Sequence, residues 1–227
     1  MSALPAFTSR SPEQAPWIIC MLHLPSGLVD YPMSRRDVAR DADWCETLLD
    51  RMGIVGGAMT LALGRGAEPL PMLPFENALM RRKVPWATAE DSPLDAPRSD
   101  MYLRRLRLQA IFGLALDQLE ALLALGEDRA AKLRAVRVIS AQLDAVPKLR
   151  SLGIAPWRML KVGPLIAWEA PEGGGFRYDA EEWLIEESGG QLLVTARHPR
   201  AFPVVRLQTG VRAMVETVDG ERRLVVA

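Results

Sequence analysis

The sequence predicts an α/β fold: a mostly parallel sheet flanked by helices, with a C-terminal β-rich subdomain. Two patterns predict it. Between residues 17 and 155, apolar runs of strand length alternate with segments whose apolar residues recur every three or four positions, as crossover units require. After residue 155 those periodic segments cease, and short β-like runs follow one another, several separated by glycine pairs or a glycine triplet. The expected layout is a flexible arm over residues 1–16, an α/β body over 17–155 and a β-rich subdomain over 156–227.

Taken in order, residues 17–24 read as a short buried strand, closed by the turn Pro25-Ser26-Gly27. Ser34 opens a helix with Asp37 three positions on, an acidic form of the capping box. Val38, Ala42, Cys45, Leu49 and Met52 give that helix one apolar face, and Gly53 stops it. Strands are expected at 58–63, 84–88, 109–113 and 135–140. Helices are expected at 76–82, from Ser99 to Leu106, at 117–125 and at 144–152. In the last third the strand-like runs are 157–162, 165–168, 176–178, 183–187, 192–196, 204–207, 213–218 and 222–226. Asp219-Gly220 between two alternating runs is a strong local hairpin signal.

The chain has 227 residues, enough for a sizeable buried core, with 49% hydrophobic and 25% charged residues. Basic and acidic residues balance to a formal net charge of zero, which argues against a nucleic-acid partner. No apolar run approaches the roughly 20 residues of a membrane span, so no membrane partner is expected. The start has no signal-peptide pattern, and the two cysteines, Cys20 and Cys45, read as buried free thiols. A cytoplasmic location is expected.

Few residues carry chemistry on their own. His198 lies in the basic loop Arg197-His198-Pro199-Arg200 and reads as solvated. His23, near Cys20 and Ser26, could pair as a base with a nucleophile, but nearness in sequence does not set that geometry. Glu181-Glu182 and Glu186-Glu187 read as charges at strand edges, and no cluster has metal-ligand spacing. No catalytic residue, no metal site and no cofactor are expected.

The segment 189–213 is the most informative. A strand there leads to Ala201-Phe202-Pro203, then Arg206 and Thr209-Gly210. It resembles the end of the large N-terminal domain of the adenylate-forming ligases, the phenylacetate-CoA ligase branch above all. Ser34-Arg35-Arg36-Asp37 resembles the family's helix start after its phosphate loop, and the likeness extends over roughly residues 17–215. The resemblance implies several departures. The loop before that helix keeps one Ser-Gly, Ser26-Gly27, where the family has a donor-rich phosphate loop. Ala141-Gln142-Leu143 stands at the adenine turn, Lys161 at the magnesium-holding glutamate and Val211 at the ribose-binding aspartate.

The family's long N-terminal section and its mobile C-terminal domain have no counterpart in the sequence. The resemblance therefore implies a truncated, degenerate relative without adenylation activity, since such losses compound. A non-catalytic interaction or regulatory protein is expected, partnered by a second copy of itself or a second polypeptide. The alternative is a small-molecule binder or enzyme that uses the remnant acyl pocket for an aryl or acyl-CoA ligand. Its remnant ligand-binding residues would be Ser26, Gly27, Arg158, Lys161, Arg206 and Thr209.

Overall fold

The computed structural model describes residues 15–64, 70 and 72–226. The arm expected over 1–16 lies outside the described residues as far as residue 14, and Pro16 already belongs to the first strand. Strands β1 (Pro16–Leu24) and β2 (Gly27–Ser34) form an antiparallel hairpin in which Leu24 faces Gly27. Gly27 has φ 113°, a backbone that glycine adopts without strain. Strand β2 was not legible, because Asp30-Tyr31-Pro32 reads as turn chemistry. Burial of Tyr31 and Met33 overrides that local preference, and Pro32 is tolerated because a two-stranded ribbon is all edge.

Helix α1 (Arg35–Arg51) starts with the expected capping box. Asp37 N–H donates to Ser34 Oγ at 3.1 Å, and Ser34 N–H donates to Asp37 Oδ2 at 2.8 Å. Its apolar face, Val38, Ala42, Cys45, Leu48 and Leu49, is buried.

The central sheet has six strands in the order β4-β3-β5-β6-β7-β8. Strands β3 (Thr60–Leu63), β4 (Trp86–Ala89), β5 (Ala110–Leu114), β6 (Val138–Gln142) and β7 (Trp157–Val162) run parallel. Strand β8 (Leu165–Glu169) returns antiparallel to β7. Alternation along the strands feeds two apolar layers. Ala110, Phe112, Val138 and Met159 pack with Leu48, Phe75 and Leu79 of α1 and α2 (Leu73–Arg81). Leu61, Ile111, Ile139 and Ala141 pack on the other face with Leu103 of α3 (Ala96–Arg105) and Leu119 of α4 (Leu116–Ala124). Leu133 of α5 (Arg129–Arg134) and Leu149 of α6 (Val146–Ser151) complete that layer. Each such leucine or isoleucine contributes about 1.5–3 kcal/mol by leaving water.

Helix α3 begins at Ala96 rather than Ser99, because Pro97 sits in its first turn, where a missing N–H costs nothing. Ser99 is buried inside the helix, and its Oγ accepts from Gln118 Nε2 at 3.0 Å. Helix α5 was not anticipated.

In the last third, β9 (Trp183–Ser188), β10 (Gln191–Ala196) and β11 (Leu207–Gln208) form an antiparallel sheet in the order β11-β10-β9. Strands β12 (Met214–Val218) and β13 (Glu221–Val225) make the hairpin expected at Asp219-Gly220, both turn residues having positive φ. The run 204–207 shrinks to Leu207–Gln208, and 176–178 contributes only isolated bridges. The central sheet continues across residue 155 through β7 and β8. Conversely, the first hairpin joins the C-terminal β core, where Cys20, Leu22, Tyr31 and Met33 cluster with Phe176, Ile185, Leu192 and Val194. Among the described residues, no helix is long and apolar enough to cross a membrane.

Candidate functional site

Three turns meet at one end of the C-terminal core. Gly163, at the β7–β8 turn, lies so close to Thr209 that a Cβ there would sit 3.2 Å from the Thr209 methyl. A Cβ on Gly210 would sit 2.8 Å from Pro25 Cγ, so the β1–β2 turn is seated on the Thr209-Gly210 turn. Between them opens a cleft of ≈ 110 Å³ lined by Met21, His23, Lys161, Pro164, Ile166 and Thr209, among others. The structure thus brings Lys161 and Thr209 together, with Ser26 and Gly27 exposed on the adjoining hairpin turn. Thr209 itself is buried; its Oγ1 donates to Leu192 O at 2.9 Å and accepts from Val211 N–H at 3.2 Å.

Arg158 and Arg206 lie elsewhere. Arg158 pairs with the buried Glu169, and its guanidinium lies 5.2 Å from the Phe176 ring centre. Lys161 is three residues further along β7, which puts the two cations on opposite faces of the strand. Arg206 is committed to Glu186 at 2.6 Å. His23 lines the cleft as an exposed residue across from Leu28. The buried Cys20 falls on the opposite face of β1, and burial pushes its thiol up to about 11, so it is no partner for His23 as a nucleophile.

In open α/β sheets the crevice beyond the carboxyl ends of diverging strands is the usual ligand site, here between β3 and β5. Met72 packs over Gly64 and Gly113 at that point. Gly113 N–H donates to Ser140 Oγ at 3.0 Å, and Gln142 Nε2 donates to Asp91 Oδ2 at 2.9 Å. Gln142, at the position the resemblance gives to the adenine turn, is therefore spent on an internal bond. Val211, at the position the resemblance gives to the ribose-binding aspartate, packs against the C-terminal apolar core.

A second polar constellation was missed. Arg200, read as part of a solvated basic loop, is fully buried. Its guanidinium reaches Asp41 at 2.5 and 3.0 Å and Glu182 at 2.6 Å, and lies 4.4 Å from the Trp183 ring centre. Arg40 bridges Asp37 at 3.0 Å and Glu182 at 3.2 Å, and Asp37 Oδ2 also accepts from Ala201 N–H at 3.0 Å. Glu182 is thus a buried ion-pair partner, not an edge charge. Burial works against the charge on Arg200, but Asp41, Tyr31 and Asp37 hold its pKa above the usual arginine range. Burial pushes Asp41 up to about 6, against the pull of Arg200. The one usable signal was Ala201-Phe202-Pro203, which marks the loop but not the arginine before it.

No family profile and no curated protein sequence matches the chain. Solved structures do. The postadenylation structure of a 2-hydroxyisobutyryl-CoA ligase with R3-HIB-AMP matches with a TM-score of 0.71 at 12% identity, over 94% of this chain and 51% of that one. A malonyl-CoA ligase with methylmalonyl-CoA and AMP bound matches with 0.61 at 14% identity, over 99% and 55%. The o-succinylbenzoate CoA synthetase of Bacillus subtilis matches with 0.64 at 11% identity, over 94% and 49%. The chain has the fold of acyl-CoA ligases and spans about half the length of the ligase chains it matches.

Proposed function

We propose that this protein uses a ligase fold without adenylating, as an interaction or regulatory protein that pairs with a second copy of itself or with a second polypeptide. The observation that carries this reading is the outer face of the first hairpin. Ile19, Met21 and His23 share one face of β1, and Leu28 stands across from His23. Ile19 is 54% exposed and Leu28 55%, and Trp17 beside them is 45% exposed under the Arg35 guanidinium. An apolar strand face of this kind is what an interface covers. Lys161 and Val211 support the non-catalytic half, since an ammonium repels magnesium and valine offers a ribose no acceptor. The two free, buried cysteines support a cytoplasmic setting.

Sedimentation of wild type and Ile19→Glu tests the pairing. Wild type is expected to assemble, and the variant to weaken assembly about tenfold or more. A wild-type monomer that copurifies with no stoichiometric partner from its source cells overturns the reading. ATP–pyrophosphate exchange with a panel of acyl and aryl acids should stay at background, and exchange above it overturns the non-catalytic half.

A second reading rests on the cleft between the three turns, where Lys161 supplies a cation beside apolar walls for an aryl or acyl-CoA ligand. Calorimetric titration with CoA should then show saturable binding that Lys161→Met weakens roughly tenfold. Equal binding by both proteins counts against it.

A further inference from the structure

A separate cavity of ≈ 40 Å³ opens between α1, the start of α2, β8 and the residues just before β9. Its walls include Trp44, Phe75, Trp168 and Trp183 together with two carboxylates, Asp41 and Asp179. Four aromatic side chains around one small space would suit any apolar group. The carboxylates narrow the choice. Asp179 Oδ1 accepts from the Glu181 and Glu182 N–H groups at 3.1 and 3.2 Å, while Oδ2 has no partner among the described residues. The surrounding charge does not balance either. Among the described residues, Asp37, Asp41, Asp179 and Glu182 face two guanidiniums, those of Arg40 and Arg200.

We infer that this cavity is a binding site for a small organic cation, an alkylammonium in size and chemistry. The ammonium group sits among aromatic faces, whose negative quadrupole attracts it, and offsets the carboxylate excess of Asp41 and Asp179. The volume exceeds the space that one water needs and suits a few heavy atoms. This site lies apart from the Lys161 cleft, although Leu70, Pro164, Leu165 and Ile166 border both. It stands or falls independently of the interaction role.

The probes are choline, ethanolamine and 3,3-dimethylbutan-1-ol, the last being the uncharged isostere of choline. Binding is read by tryptophan fluorescence and calorimetry on the full chain. Choline or ethanolamine should bind saturably, and the neutral alcohol about tenfold more weakly or worse. Asp179→Asn keeps the backbone-facing oxygen but removes the charge, and should weaken cation binding several-fold while its urea midpoint shows that it still folds. Equal binding of choline and its neutral isostere overturns the inference. So does the absence of saturable binding by either cation, or an Asp179→Asn variant that folds and binds as wild type.

Discussion

Arg200 and Arg206 stand six residues apart on one segment, and each holds a glutamate at 2.6 Å, Glu182 and Glu186 respectively. Distance does not separate them; water does. The Arg200 side chain is fully buried and Arg206 is 56% exposed. In water the Arg206 pair exchanges one set of hydrogen bonds for another and is screened by salt. Arg200 has no such exchange, because its loss would leave Asp41 as a buried charge without its counterion and Asp37 and Glu182 sharing Arg40 alone.

Replacing the buried member is the strongest way to break this contrast. Arg200→Met should cost about 3–5 kcal/mol, read from the urea midpoint. A cost below about 1 kcal/mol would mean that the network rearranges or admits water. The pH dependence sharpens the picture. Asp41 is raised from 3.8 to about 6 in the folded state, so between those values the folded chain binds more protons than the unfolded one. Its contribution to stability is then greatest at low pH and is lost as pH rises from about 4 through about 6. Wild type should lose ground against Asp41→Asn over that window, and a gain with rising pH would show that Arg200 outweighs burial. The smallest effect belongs to the exposed arginine: Arg206→Ala should change stability by less than about 1 kcal/mol, and less still at high salt.

How much of this was readable depended on sequence distance. The capping box of Ser34 and Asp37 and the Asp219-Gly220 hairpin were legible because their partners lie within a few residues. The parallel sheet was legible because its strands are apolar and separated by helical periodicity. Strand β2 was not, since its burial against residues such as Ile185 and Val194 is fixed far along the chain. Arg200 was invisible for the same reason: its loop looks basic and solvated until Asp41, 159 residues away, is brought to it. Of the six remnant-site residues, the resemblance grouped all, whereas the fold brings Lys161 and Thr209 together, leaves Ser26 and Gly27 exposed on the adjoining turn and pairs Arg158 and Arg206 with separate carboxylates. A family alignment carries position along the chain, but not the side of a strand on which a residue falls.

The bond from Ala201 N–H to Asp37 has a consequence for how the chain is made. Its two ends are 164 residues apart, so at ordinary synthesis rates the acceptor waits roughly 8–33 s on the ribosome before its donor exists. During that interval the first helix can form with its local cap, but Asp37 and Asp41 must stay hydrated, because Arg200 has not yet been translated. The first hairpin waits as well, with Tyr31 and Met33 exposed until β9 and β10 emerge to cover them. Early residues of this protein are thus completed last, and nascent chains stalled before residue 200 should present that hairpin to chaperones.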